Sequence, residues 1–377
     1  MSLYTTPLQL GYFFSLLLWL LFLIRGYREQ RNSDSFLGWI MFILAMELQD
    51  YTFGFAGINF LWNEMNGFPR SVGLLFGPVV YFYFKSQVNR SFKLKKHHFW
   101  HFAPYLIYIS YDLFFFLQGP EGVQQKIGST HNLILSYVYH FAVWGSYVFY
   151  LTKCLNIYKA YRKWSLSQFS NEDLISFRWF RNFIYAMIFW LVCREIMGVL
   201  DGIYQLDFYQ DWWWNLALVA VVFYIGLTGY SQAQPAKISF ETDVSQEAML
   251  AKNEPINTSS QTSSLDKSEL AHTLQKLMQS DRLYLQADLS LQELAQHLDV
   301  NTVHLSATIN HVLHKNFNDY INELRIEEFI KLFKSDKGRQ FTMLSIALDS
   351  GFNSKATFNR AFKKIKGCSP KEYLSKS

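Results

Sequence analysis

Long apolar stretches dominate the chain up to about residue 230. Seven of them have roughly the length and apolar character of a membrane-spanning helix, which needs about 17–25 residues. They cover residues 8–24, 36–55, 72–86, 99–117, 132–151, 182–199 and 213–230, the third being the shortest. The pattern therefore predicts a seven-helix transmembrane domain over residues 1–231.

Hydrophobic periodicity stops after this region. Residues 232–264 are poor in aromatics, contain two prolines and include the polar run Asn257–Ser264. Such a composition buries too little apolar surface to fold alone. We expect a flexible linker there, with a mean reach of about 30 Å if it behaves as a coil.

Amphipathic helical patterns return in residues 265–377. Ser290 and Glu293 have the spacing of a capping box, a short turn at Asp299-Val300 follows, and Asn301 is placed to cap a second helix. One long connecting helix is expected over residues 317–333. The pattern then recurs, with a helix over 341–348, a turn at Gly351 and a helix from Asn353 to Lys364. Two helix-turn-helix units are the predicted result, and the chain as a whole is expected to be all-α.

Composition adds limits to this prediction. Half of the chain is apolar and 18% is aromatic, with a net charge of +5. The three cysteines, Cys154, Cys193 and Cys368, lie far apart, which excludes a disulfide framework and a cysteine-based metal site. The sequence contains no nucleophile triad, phosphate-binding glycine loop or paired-histidine motif, so we predict no enzyme activity, cofactor or metal. The closely spaced His97, His98 and His101 are interpreted as lipid-headgroup contacts.

Positive charge is unevenly distributed between the loops of the predicted membrane domain. The second and fourth loops hold only Arg70 and Lys126, and the N-terminal tail and sixth loop hold none. The first, third and fifth loops contain Arg25, Arg28, Arg31, Lys85, Arg90, Lys93, Lys95, Lys96, Lys153, Lys159, Arg162, Lys163, Arg178 and Arg181. Because basic residues are retained in the cytoplasm, the sequence predicts a cytoplasmic-membrane protein with its N-terminus outside and its C-terminus inside.

Basic residues also accumulate at the C-terminus. From Lys355 to Ser377 there are seven Lys or Arg and a single acid, Glu372. If Phe358 and Phe362 pack inward, the outer face of this helix carries Lys355, Ala356, Asn359, Arg360 and Lys363. A basic outer face of this kind favours contact with DNA phosphates.

Residues 265–377 resemble the DNA-binding domain of AraC/XylS-type bacterial transcription regulators. The matching residues are Leu294-Ala295, Leu305-Ser306, Phe317, Tyr320, Arg325-Ile326, Ile346-Ala347, Gly351-Phe352, Phe358, Phe362-Lys363-Lys364, Gly367, Ser369-Pro370 and Tyr373. Ile309-Asn310 and Tyr320-Ile321-Asn322 resemble the branch of this family that is fused to multi-pass membrane domains. Two departures are Ser369, where Thr is usual, and Ala307, where many members have a longer polar residue.

The resemblance implies that the connecting helix holds two recognition helices on one DNA face, about 34 Å apart. It implies DNA contacts by Thr302, Val303, Ser306 and Asn310 in the first unit and by Ser354, Lys355, Asn359 and Arg360 in the second. Arg360 is expected to pair with guanine and Asn359 with adenine. Lys363 and Lys364 are expected to contact phosphates.

Ionisable residues within the predicted spans are candidates for signal sensing, because burying charge in a bilayer is expensive. They are Glu47, Asp50, Asp112, His140, Arg194 and Glu195. Glu47 and Arg194 fall at similar depth, and a ligand entering from outside is expected to rearrange them. The alternative is a polar network that only holds the bundle together.

The sequence thus favours a membrane-tethered regulator whose partners are promoter DNA, the lipid bilayer and a small-molecule or envelope signal, with a homodimer compatible with paired DNA sites. The alternative is a seven-span transporter or membrane enzyme with a regulatory helix-turn-helix domain. A further alternative is release of the DNA-binding end by cleavage within residues 232–264.

Overall fold

The fold is described by a computed structural model that covers residues 5–170, 177–231 and 262–376. Over these ranges the chain forms helices and turns without a β-strand; only an isolated bridge joins Phe169 and Ser290. This confirms the predicted all-α class.

The N-terminal helices correspond to the predicted apolar stretches, with one addition. They are α1 Thr5–Arg28, α2 Asn32–Phe55, α3 Gly73–Val88, α4 Ala103–Leu117, α5 Gly119–Ile127, α6 Thr130–Gln168, α7 Phe177–Tyr204 and α8 Trp214–Ser231. Short 3-10 turns, Lys96–Phe102 and Asp211–Trp213, precede α4 and α8. The additional helix, α5, lies in what the sequence predicted as the fourth loop.

Three of these helices are long and apolar enough to cross a membrane: Thr6–Arg28, Trp179–Tyr204 and Trp214–Ser231. The helices α3 and α4 have only 16 and 15 residues, short of the length that a bilayer usually requires. Length and composition thus support three spans, and the seven-span arrangement with its orientation stays a prediction.

Two boundaries differ from the prediction. The helix α6 does not end near residue 151 but continues to Gln168, because the polar and basic residues beyond 151 end the apolar stretch without breaking a helix. A further helix, α9 Thr262–Ser280, begins inside the predicted linker. The remainder of that linker, 232–261, lies outside the described residues.

The described residues divide into two compact units. The N-terminal unit contains residues 5–158 and 178–231, and the C-terminal unit contains 159–170, 177 and 262–376. The last part of α6 therefore belongs to the C-terminal unit.

In the N-terminal unit, α1 packs against α2 and α8, and α2 packs against α3. The guanidinium of Arg25 joins the ends of three helices, because it pairs with Asp34 at 2.6 Å and donates to the carbonyl oxygens of Gly229 and Tyr230. Large apolar side chains face outward from several helices. Examples that are 63–73% exposed are Phe13, Ile107 and Phe141.

The C-terminal unit is built from α9 and from α10 Leu291–His297, α11 Thr302–Val312, α12 Phe317–Lys334, α13 Lys337–Gln340, α14 Met343–Asp349, α15 Lys355–Lys366 and α16 Pro370–Lys376. The helix α12 is the predicted connecting helix. Its residues Phe317, Tyr320 and Ile321 lie in one hydrophobic core with α9, α10 and α11. Its residues Ile326 and Phe329 lie in a second core with α14 and α15.

Candidate DNA-binding interface

The first helix-turn-helix unit begins with the predicted capping box. The Glu293 amide donates to Ser290 Oγ at 3.2 Å, and the Ser290 amide donates to Glu293 Oε2 at 3.0 Å. The turn after α10 places Asp299 at φ +52° and returns the Val300 amide to the Ala295 carbonyl oxygen at 3.0 Å. This left-handed residue closes the helix end and redirects the chain.

Asn301 caps α11, as the sequence predicted, by accepting a hydrogen bond from the Val303 amide at 2.8 Å. Behind the cap, Leu305 and Ile309 are buried in the core. Val303 is 66% exposed, Asn310 is also exposed, and the other two predicted contacts, Thr302 and Ser306, are half-buried. The four side chains therefore keep access to solvent along α11.

The second unit turns at Gly351, which has φ +94°. A Cβ at this position would lie 2.6 Å from the Tyr284 carbonyl oxygen and 3.0 Å from Arg325 Nε. Glycine is therefore required here both for its backbone conformation and for the space that a side chain would take. The predicted turn is confirmed, and its steric reason comes from a residue that is distant in sequence.

The second helix of this unit, α15, begins at Lys355 rather than at the predicted Asn353. Ser354 is its N-cap, accepting from the Thr357 amide at 3.2 Å, so this predicted DNA contact has a structural role as well. Phe358 and Phe362 are buried against Phe329, with Phe329 to Phe358 ring centroids 4.5 Å apart. The inward packing of these two rings is thereby confirmed.

The opposite face of α15 carries the remaining predicted contacts. Lys355, Asn359, Arg360, Lys363 and Lys364 are all exposed. Lys364 Nζ lies 2.5 Å from Asp319 Oδ1 of α12, an ion pair that the sequence did not predict. Part of the positive charge of Lys364 is therefore compensated within the protein.

Arg325, on α12, is 1% exposed. Its Nε donates to the Tyr284 carbonyl oxygen and its Nη2 to the Gln286 carbonyl oxygen, each at 2.7 Å. Burial lowers the pKa of Arg325 to about 10, so it stays cationic at neutral pH. The sequence comparison with AraC-type domains included Arg325 but assigned it no role; the structure shows that it fixes the loop before α10.

The end of α6 and the two residues that follow it also belong to the C-terminal unit, where Ser170 makes several hydrogen bonds. The Ser170 amide and Oγ both donate to the Leu289 carbonyl oxygen, at 3.2 and 2.7 Å. Asn318 Nδ2 donates to the Ser170 carbonyl oxygen at 2.9 Å. This contact could not be predicted from the sequence, because no local pattern signals a partner about 150 residues away.

Two of the candidate sensing residues have partners in the N-terminal unit. Asp50 pairs with Arg70 at 3.0 Å, and the buried Asp112 pairs with Lys126 at 2.7 Å. Both cations come from the segments predicted as outer loops. These carboxylates are therefore charge-compensated rather than open to a ligand as isolated charges.

The other sensing candidates are only partly brought together. Arg194 forms an ion pair with the adjacent Glu195, with Nε and Oε1 3.5 Å apart, and Glu47 is half-buried on α2. The guanidinium of Arg194 also lies 5.9 Å from the ring centroid of Tyr147. His140 is exposed on α6 and is not buried with this group. Among the described residues, no cluster of three or more His, Cys, Asp or Glu side chains has a metal-binding arrangement.

Comparison with known proteins identifies the C-terminal part. Residues 294–376 match a family model described as a helix-turn-helix domain. An uncharacterized HTH-type transcriptional regulator of Staphylococcus aureus (strain COL) is 32% identical over 112 residues, which cover 27% of this chain and 14% of the relative. An Escherichia coli (strain K12) protein, named putative HTH-type transcriptional regulator YkgA, is 30% identical over 100 residues, covering 26% of this chain and 41% of the relative. No solved structure matches.

These similarities cover only a minor part of each relative's length, 14% and 41%. Both relatives are named as HTH-type transcriptional regulators. The match and the doubled helix-turn-helix geometry together show that the C-terminal part of this chain is an AraC-type helix-turn-helix domain.

Proposed function

We propose that this chain is a membrane-bound, sequence-specific transcription regulator that couples an intramembrane or extracytoplasmic signal to a promoter. In this proposal residues 1–231 are the sensor, 232–264 the linker and 265–377 the DNA-binding domain. The observation that carries it is the exposed face of α15, where Lys355, Asn359 and Arg360 stand on a helix anchored by buried phenylalanines.

Base recognition is assigned to the exposed polar side chains of the two recognition helices. Arg360 would donate to guanine and Asn359 would pair with adenine, each contributing about 1–3 kcal/mol of discrimination. Lys363 and Lys364 would bind phosphates, which position the protein without specifying sequence. Additional contacts come from Thr302, Val303, Ser306, Asn310, Ser354 and Lys355.

Membrane attachment is supported by the three long apolar helices and by the outward-facing apolar side chains of the N-terminal unit. Soluble proteins rarely expose large contiguous apolar surfaces. We propose that the protein lies in the cytoplasmic membrane with seven spans, its N-terminus outside and its C-terminus in the cytoplasm.

Signal sensing is assigned to the polar group around Glu47 and Arg194. A ligand that binds one arrangement of these charges more tightly shifts the bundle toward that arrangement. Replacing Arg194 by Leu is expected to abolish the response of the target promoter while the protein still inserts. An unchanged response would reject the sensing role and leave the polar group as a structural network.

The function is tested by crosslinking the full-length protein to DNA in its own host and sequencing the recovered fragments. We expect discrete promoter peaks that disappear in the Asn359→Ala/Arg360→Ala variant. The control is Gln275→Ala/Lys276→Ala, which removes an exposed amide and an exposed cation from α9 and is expected to retain the peaks.

Peaks that persist in the α15 variant would contradict the assigned recognition helix. Absence of peaks for a correctly inserted wild-type protein would favour the alternative, a transporter or membrane enzyme with a regulatory domain. A smaller protein on a blot under inducing conditions would instead indicate release by cleavage.

A further inference from the structure

The last turns of α6 and the two residues that follow, Arg162–Ser170, form a docked segment within the C-terminal unit. Its end pairs with the start of the first helix-turn-helix unit, where Phe169 forms an antiparallel bridge with Ser290. Ser170 donates twice to the Leu289 carbonyl oxygen. The docked segment is thus held by specific backbone hydrogen bonds.

Two asparagine side chains on the connecting helix α12 form a hydrogen-bonded chain that ends on the docked segment. Asn318 Nδ2 donates to the carbonyl oxygens of Phe169 and Ser170, at 3.2 and 2.9 Å. Asn322 Nδ2 donates to Asn318 Oδ1 at 2.9 Å. Both asparagines are nearly fully buried, although water would solvate their amides equally well if the segment left. Because exchanging such hydrogen bonds for water costs only about 0.5–1.5 kcal/mol each, the contact is suited to reversible docking.

The docked segment also borders the proposed DNA-binding side chains. A cavity of about 290 Å³ is lined on one side by Arg162 and Leu166 and on the other by Thr357, Arg360 and Lys364 of α15, with Asn322 between them. The cavity therefore places side chains of the docked segment beside Arg360 and Lys364, two of the residues that are proposed to contact DNA.

From these contacts we infer that the docked segment and DNA compete for the same strip of the C-terminal unit, so that docking is autoinhibitory. The inference rests on the proposed function, which assigns Arg360 and Lys364 to DNA. Binding equilibria that exclude one another are reciprocally linked, and couplings of this type change affinity by about 5–150-fold. Because α6 is one continuous helix from Thr130 to Gln168, displacement of α6 would pull directly on the docked segment.

A disulfide lock tests the competition within one molecule. Phe169→Cys/Ser290→Cys places two thiols at directly paired positions, whose Cβ atoms in an antiparallel pair are about 4.5–5.5 Å apart, near the separation that a disulfide needs. The half-buried Cys193 and Cys368 are replaced by Ser in this protein. The full-length protein in detergent is titrated against a fluorescein-labelled duplex of about 30 base pairs at low salt, where phosphate contacts dominate binding.

We expect the oxidised lock to bind the duplex at least about fivefold more weakly than the same protein after reduction. Since both forms carry the same substitutions, any loss of the Ser290 cap affects them equally. Equal affinity of the oxidised and reduced forms would overturn the inference.

A second variant tests release from the opposite direction. Ser170→Pro removes the amide and hydroxyl donors to Leu289 and is expected to tighten duplex binding by about fivefold or more. The control is Ser167→Ala, because Ser167 Oγ donates only within its own helix, to the Trp164 carbonyl oxygen at 2.6 Å. Ser170→Pro could instead bind the duplex no more tightly than the wild type while the oxidised lock still binds it. That result would show that the docked segment stabilises the domain and does not block DNA binding.

Different outcomes distinguish autoinhibition from the proposed function. If Arg360→Ala weakens binding but the lock and Ser170→Pro do not change it, the proposed function stands and autoinhibition is rejected. If wild type, Ser170→Pro and the reduced lock all fail to bind the duplex, the proposed function is contradicted and this inference falls with it.

Discussion

At the scale of single residues, Arg325 forms hydrogen bonds to several separate parts of the C-terminal unit. Its guanidinium bonds to the carbonyl oxygens of Tyr284, Gln286 and Ala287, and also to Ser170. One buried cation thereby joins the connecting helix to the loop that starts the first helix-turn-helix unit. A charged donor is suited to this position because its hydrogen bonds are stronger than neutral ones.

Replacing Arg325 by Leu is expected to lower the free energy of unfolding of the C-terminal unit by about 3 kcal/mol, because several buried carbonyl groups lose their donor. Pulse proteolysis of the full-length protein in urea, followed through a C-terminal tag, measures this. Lys331→Ala, an exposed change on the same helix, is expected to shift stability by less than about 0.5 kcal/mol. Equal stability of the two variants would contradict the assigned role.

Tyr320 gives the same unit a dependence on alkaline pH. Burial, and to a smaller extent Glu323, raises the pKa of Tyr320 to about 12. Above pH 10 the unfolded chain loses the phenolic proton while the folded chain keeps it, so stability falls as pH rises toward 12. Between pH 9 and about 11.5 the wild type is expected to lose about 1–2 kcal/mol more than Tyr320→Phe. Parallel pH profiles for the two proteins would refute this.

Residues with local roles were predictable from sequence, and residues with distant partners were not. Ser290 and Asn301 bond to neighbours within a few positions, and their patterns are visible in the chain. The turn at Gly351 is visible as well, whereas the contact that excludes a side chain there, with Tyr284, is not. Ser170 and Asn318 bond to each other although they are about 150 residues apart in the sequence, so no periodicity links them. The ion pairs of Asp50 and Asp112 were missed for a related reason: their partners lie in adjoining segments, outside the spans themselves.

At the scale of elements, α15 combines the two requirements of a recognition helix. Its inner face buries Phe358 and Phe362 in the second core, which fixes its position. Its outer face presents Asn359, Arg360 and Lys363 to solvent. This outer face carries one amide, Asn359, among cations, which suits simultaneous contact with base edges and phosphates.

Two single substitutions on α15 are expected to affect DNA binding differently. Lys363→Ala should reduce the slope of log K against log salt by about 1 and weaken binding to all sequences similarly. Asn359→Ala should keep the slope and lower affinity for the selected promoter by about 1–3 kcal/mol. Salt titrations with the promoter and with an unrelated duplex measure both effects; identical behaviour of the two variants would contradict the division of roles.

The helix α6 shows where sequence patterns lose information. Apolar residues predicted its first part, but the extension to Gln168 contains Lys, Arg and Tyr, which neither form an apolar stretch nor break a helix. The end of a hydrophobic stretch marks where a predicted span ends, and a helix continues past it as long as no residue interrupts it. The length of α6, and with it the docked segment, could be found only from the structure.

At the scale of the whole molecule, the chain joins a unit rich in outward-facing apolar residues to a unit with an AraC-type domain. The three long apolar helices are α1, α7 and α8, and the other predicted spans are shorter or more polar. The number of spans decides on which side of the membrane each loop lies.

Reporter fusions distinguish the two topologies. Alkaline phosphatase, which is active only outside the cytoplasm, is fused after residues 31, 67, 92 and 128. Seven spans with the N-terminus outside predict activity after residues 67 and 128 and none after 31 and 92. If only α1, α7 and α8 cross the membrane, all four fusions lie on the same side, and the seven-span proposal is rejected.

The central claim, that the intact chain binds promoter DNA while it remains in the membrane, is tested most directly with oriented vesicles. Membrane vesicles containing the full-length protein are prepared inside-out and right-side-out and incubated with the promoter fragment recovered by crosslinking. We expect the inside-out vesicles to retain the fragment, the right-side-out vesicles to exclude it, and Asn359→Ala/Arg360→Ala to abolish retention. Binding confined to a soluble cleaved fragment, or equal binding by both vesicle types, would contradict the account.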